Sequence, residues 1–166
     1  LNSLLMSNVL NYTEKLFNLP LGIIAISLAH VILPNLSLLQ GKERIRFLAK
    51  SLGLASVVIL PIIAVIWFGA EFIVRVVFMR GKFSIEDVDV AAGLFKWYSM
   101  ALLPVSLNLM LNRGFFASGN YRIPFVAGLI SALLQLYLCY SSVPVYGMKG
   151  IAIAAVSAGF IQLVIL

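Results

Sequence analysis

Apolar residues fall along this chain in stretches of about 20, the length a helix needs to cross about 30 Å of hydrocarbon, with polar residues clustered between them. The pattern predicts five spans, over 8–39, 52–78, 88–111, 124–140 and 150–166. Pro20 and Pro34 interrupt the first span, Pro61 the second and Pro104 the third. Prolines are tolerated in membrane helices because neighbouring groups satisfy the carbonyls they free. Pro124 stands in the first turn of the fourth span, where its missing N–H costs nothing. A transmembrane β-barrel would alternate apolar and polar residues in segments of about ten, and no such segment occurs. The expected fold class is all-α: a polytopic transmembrane helix bundle.

Composition supports the membrane reading. Hydrophobic residues make up 62% of the chain and charged residues 11%, with a mean hydropathy of +1.06, well outside the range of soluble domains. Cys139 is the single cysteine and His30 the single histidine, so an internal disulfide framework and Cys- or His-clustered metal sites are excluded. The chain opens on Leu1 and stops at Leu166 within an apolar run, and it reads as a fragment of something longer. The start "LNSLLMSNVL" lacks the basic head and cleavage site of a signal peptide.

Charge assigns the sides. The loops "QGKERIRFLAK" and "NRGFFASGNYRIP" carry Lys42, Arg44, Arg46, Lys50, Arg113 and Arg122, six basic residues. The alternate loops, "RGKFSIEDVDV" and "YSSVPVYGMKG", carry three, Arg80, Lys82 and Lys149. The positive-inside rule makes the first pair cytoplasmic, so the first span runs from outside to inside and Glu14 and Lys15 lie toward the outer half of the membrane. The net charge of +6 then reflects topology and anionic headgroups. No basic-aromatic platform for nucleic acid is present.

Within the first span, Asn8, Asn11, Lys15, Asn18 and Gly22 follow the 3-4-3-4 spacing of one helix face. Ala25 and Ala29 continue it with small residues, while Leu16, Phe17, Ile23 and Ile24 occupy the other faces. An ammonium facing lipid costs about 2.5–3.5 kcal/mol even on insertion scales, so the stripe is expected to meet protein or water. Two readings of Lys15 follow. It either snorkels to the headgroups with Glu14 offsetting its charge, or it stands in a water-filled cavity and holds an anionic group such as phosphate.

The other polar residues of the spans invite structural readings. His30 is expected to make an interhelical hydrogen bond rather than relay protons. Glu71 and Arg75, at i and i+4, are expected to pair locally. Lys96, seven residues after Asp89, reads as an interfacial anchor beside Trp97 and Tyr98. Cys139 reads as a small buried residue. Glu86, Asp87 and Asp89 lack calcium-loop spacing and suit a helix N-terminus. No nucleophile with a base, no paired catalytic carboxylates and no phosphate-cradling glycine loop occur, so an enzyme is not expected, nor a cofactor.

Three segments in order resemble the MurJ (MviN) family, the bacterial lipid II flippases of the MOP exporter superfamily. They are "YTEKLFNLPLGIIAISLAHVILPNLS", "MRGKFSIEDVDVAAGLFKWYSMALLP" and "LNRGFFASGNYRIP". The resemblance implies about 14 transmembrane helices in two lobes around a cationic cavity. This chain would cover roughly the eighth to twelfth helices, at the start of the C-terminal lobe, as one multi-pass region of the bacterial inner membrane. It implies that Lys15 stands where the family has a cavity-facing arginine for the lipid pyrophosphate, with Glu14 matching the carboxylate before it. Asn18 stands where members often have glutamate. Some members hold sodium with an Asn and an Asp at the places of Gln135 and Cys139, so no sodium site of that kind is expected.

The function so implied is flipping of lipid II, an undecaprenyl-pyrophosphate-linked precursor, by alternating access. Lys15, Glu14, Asn18 and Asn11 are the expected substrate-binding residues, and lipid II, membrane lipids and the remaining helices of the transporter are the expected partners. Two alternatives stay open: another MOP-type exporter of polyprenyl-linked saccharides, or a non-transporting membrane scaffold whose polar stripe is a helix–helix seam.

Overall fold

The computed structural model describes residues 3–78 and 85–166. Arg80 and Lys82 lie outside the described residues, as do the side chains of Asn8, Ile24, Ala25, Ala29, Glu86 and Asp87. Every element among the described residues is helical: α1 (Ser3–Pro20), a π-helical segment (Leu21–Ile26), α2 (Ser27–Leu38), α3 (Gly41–Phe78), α4 (Ile85–Ala117), α5 (Arg122–Tyr146) and α6 (Met148–Ile165).

The first predicted span is thus one helical path with a change of winding. Pro20 has no N–H to give the Leu16 carbonyl, and its ring crowds that carbonyl. The wider i→i+5 winding begins at the next residue, Leu21. Among the described residues, four helices are each long and apolar enough to cross a membrane: α3, α4 over Val88–Ala117, α5 and α6. Neither α1 nor α2 qualifies alone, because α1 carries the polar stripe and the proline break leaves α2 with 12 residues.

Two segments expected to be loops are helical. The stretch 41–50 is the first part of α3; at 1.5 Å per residue, the 38 residues of α3 extend about 57 Å and overrun the hydrocarbon. Its charges leave the helix intact because they lie beyond the apolar core, and the break before it is made at Gly41, which takes a positive φ of 55°. Arg44 Nε donates to the Leu39 carbonyl at 2.8 Å, satisfying a carbonyl at the end of α2. At the other end of the bundle, "YSSVPVYGMKG" shrinks to one residue between helices, Gly147 with φ +59°.

The bundle is organised on α4. Half of its apolar window is buried, against 22% for α3 and 17% for α5, and it packs on α1, α2, α3 and α6. Leu94, Leu102 and Met110 are fully enclosed there. The outward faces stay apolar, with Phe68, Tyr140 and Val164 more than four-fifths exposed, as suits helices solvated by lipid or covered by further helices.

Small residues let α6 approach its neighbours closely. Gly150, Ala152, Ala154, Ala158 and Gly159 are buried. A Cβ on Gly150 would stand 2.7 Å from the Ser142 carbonyl carbon and oxygen, and one on Gly159 would stand 3.3 Å from Pro104 Cβ and Cγ. Two successive α6 carbonyls are then bonded from different helices: Ser131 Oγ of α5 donates to Ala158 O at 3.0 Å, and Asn108 Nδ2 of α4 donates to Gly159 O at 2.9 Å. Such bonds are a recurrent means of joining helices where lipid removes the hydrophobic driving force.

Candidate functional site

Helical periodicity divides α1 into two faces. Thr13, Leu16 and Phe17 are buried, and Asn11, Glu14, Lys15 and Asn18 are exposed. The buried set meets α4, where the Phe17 and Tyr98 rings lie 5.9 Å apart. The exposed set follows 11, 14, 15 and 18, so Glu14 joins the stripe. All four predicted site residues therefore occupy one side of α1, opposite the side that packs.

Their local contacts differ from the pairing that adjacency suggests. Among the described residues, the one salt bridge joins Lys96 Nζ to Glu71 Oε1 at 3.2 Å, so Glu14 and Lys15 do not form an ion pair. Neighbouring helical residues point about 100° apart, and Lys15 instead has its Nζ over the Tyr12 ring, 5.8 Å from the centroid. That places the cation over a π face, one turn nearer the N-terminus. Tyr12 in turn stands 5.1 Å from the Phe78 ring at the end of α3. The sequence reading missed Tyr12; its signal was the i, i+3 spacing of an aromatic and a lysine.

Glu71 also corrects an expectation. It bonds Lys96 of α4 rather than Arg75, because α3 and α4 pack along each other and turn Glu71 to the seam. Trp67 and Trp97 meet edge to face beside it, with centroids 6.2 Å apart. Lys96 is therefore a cross-helix partner as well as a neighbour of the aromatic belt. His30 is exposed on α2, and the expected interhelical hydrogen bond is not found among the described residues. Cys139 is only partly buried. Gln135 faces a polar crevice also lined by Asn108, Asn112, Ser131 and Gln162; α4 and α6 supply residues there that the sequence reading did not single out. Asp89 is exposed near the start of α4.

The family model for lipid II flippase MurJ matches residues 6–166, nearly the whole chain. The chain belongs to the lipid II flippase MurJ family. MurJ relatives agree in extent. The "Probable lipid II flippase MurJ" of Thermotoga maritima is 32% identical over 162 residues, covering 94% of this chain and 33% of that protein. Those of Rhizobium meliloti and Bdellovibrio bacteriovorus are 31% and 30% identical over 159 residues, each match covering 93% of this chain and 30% of the relative. The chain thus spans about a third of the length of the curated MurJ proteins it matches. A solved structure of lipid II flippase MurJ in an inward closed conformation superposes with a TM-score of 0.88 over 95% of this chain and 34% of that one, at 24% identity. At that identity the superposition establishes the fold: the described helices follow the course of about a third of that chain.

Proposed function

We propose that this chain is the part of a lipid II flippase that begins its C-terminal lobe, and that Lys15 holds the anionic pyrophosphate of the substrate in a central cavity of the bacterial inner membrane. Membership of the family over residues 6–166 supports the activity. The observation that carries the site is the division of α1, with Lys15, Asn11, Glu14 and Asn18 on the side left open by this bundle and Leu16 and Phe17 on the side that packs. In the intact transporter that open side faces the remaining helices, and a cation there attracts a di-anion more strongly than it would in bulk water because low-dielectric protein and lipid surround the cavity. Asn11 and Asn18 supply neutral donors on either side of the ammonium.

The test is complementation of a flippase-depleted bacterium with the full-length protein, with the amount reaching the membrane measured in parallel. Lys15→Arg keeps the charge and is expected to support growth. Lys15→Ala loses a charge-assisted contact of about 1.5–3 kcal/mol, and Lys15→Glu adds repulsion; both are expected to fail at normal protein levels. Growth and lipid export by Lys15→Ala equal to the parent would remove Lys15 from the site.

A further inference from the structure

Lys15 is held by an uncharged partner. Its Nζ lies 5.8 Å from the centroid of the Tyr12 ring, within cation–π reach, and no carboxylate among the described residues pairs with it. The ring is fixed in its turn by a residue far along the chain. Tyr12 meets Phe78, the last residue of α3, at 5.1 Å between centroids with the planes tilted by 52°, within the range that aromatic pairs favour. Thr13 beside it is buried and seats this turn of α1 in the bundle, whereas Tyr12 stays 39% exposed and borders the open side.

A carboxylate in the place of that ring would work against anion binding. It would cancel the charge of the ammonium, and an incoming phosphate would have to displace it. A π face carries a quadrupole and no net charge, so the cation keeps its full charge and offers the side turned away from the ring. A lysine side chain is also rich in rotamers, and fixing them opposes binding. The ring restricts them before the anion arrives.

We propose that Tyr12 is a positioning residue for Lys15: it holds the ammonium over its ring, where an anion can meet it without displacing a counter-ion. The proposal rests on the reading of Lys15 as the pyrophosphate contact and adds the group that orients it. Through Phe78 the ring, and with it the cation, is tied to the end of α3.

The test uses the purified full-length protein in detergent, its lysines dimethylated with isotope-labelled methyl groups, a change that keeps their charge. The Lys15 methyl resonance is assigned by its loss in Lys15→Arg. Without ligand it should lie upfield of the resonance of Lys42, an exposed lysine, because the Tyr12 ring current shields it; coincident resonances would overturn the proposal. Tyr12→Leu keeps an apolar contact with Phe78 and should remove the upfield shift while weakening binding of inorganic pyrophosphate about two- to fivefold. Tyr12→Phe retains the π face and should preserve both; a loss equal to that of Tyr12→Leu would assign the effect to the hydroxyl and overturn the proposal. If Tyr12→Leu binds pyrophosphate like the parent, while pyrophosphate still moves the parent's Lys15 resonance, the role of Tyr12 falls and the reading of Lys15 stands. A parent Lys15 resonance that pyrophosphate leaves unmoved overturns both.

Discussion

Replacing Gly150 by alanine probes the tightest contact in the bundle. The added Cβ would lie 2.7 Å from the carbonyl carbon and oxygen of Ser142 and 2.9 Å from the amide nitrogen of Val143. Carbon atoms pack best at about 3.5–4.0 Å, so α5 and α6 must separate locally by about 0.8 Å. The obstructing atoms are backbone, and no rotamer change relieves them. Overpacking of this kind costs about 1–3 kcal/mol, from which the better helix propensity of alanine returns about 1 kcal/mol. Gly53 in α3 has nothing within 4 Å of the same added atom, so Gly53→Ala keeps only the favourable part. The two substitutions should thus move stability in opposite directions. Thermal unfolding of the full-length protein in detergent, followed by loss of the monodisperse peak, reads both. Gly150→Ala is expected to unfold several degrees below the parent and Gly53→Ala at or above it. A Gly150→Ala protein of normal yield that unfolds with the parent would refute the claimed backbone approach of α5 and α6.

Cysteines at Asn11, Lys15 and Asn18 should react with a membrane-impermeant thiol reagent from outside in an outward-open state, while cysteines at Leu16 and Phe17 stay protected; uniform protection favours the scaffold reading. A reporter fused within 41–50 should report the cytoplasm and one within 81–90 the outside, and the reverse would undo the charge-based orientation. A double-mutant cycle on Glu71→Gln and Lys96→Gln should give a coupling of about 0.2–1 kcal/mol, the range for exposed pairs, because their side chains are 66% and 30% exposed. Asn108→Ala should lower the unfolding midpoint by the equivalent of about 0.5–1.5 kcal/mol, since it removes the α4–α6 bond to Gly159; an unchanged midpoint would mean that bond contributes nothing.

Hydropathy and helical periodicity are local properties of a chain, and what depends on them was legible before any fold was known. The apolar runs dictated an all-helical membrane bundle, since only closed hydrogen bonding survives in lipid. The 3-4 spacing around Lys15 likewise placed Asn11, Lys15 and Asn18 on the face opposite Leu16 and Phe17, because 3.6 residues per turn leave no choice. Loop charge set an orientation, and three motifs set the family.

Packing decided the rest. Nothing near Glu71 in sequence reveals that Lys96, 25 residues on, stands closer than Arg75 for pairing, because the register of α3 against α4 is fixed by side chains on both helices at once. The charges of 41–50 resemble a loop until they are seen to form the first turns of the 38-residue α3. Gly150 and Gly159 look like any two helix-weakening glycines until Ser142 and Pro104 fill the space where a side chain would be. The crevice with Asn108 and Asn112 exists because α6 holds α4 and α5 apart. Each of these depends on atoms brought together from distant parts of the chain, and a one-dimensional pattern carries no measure of that distance.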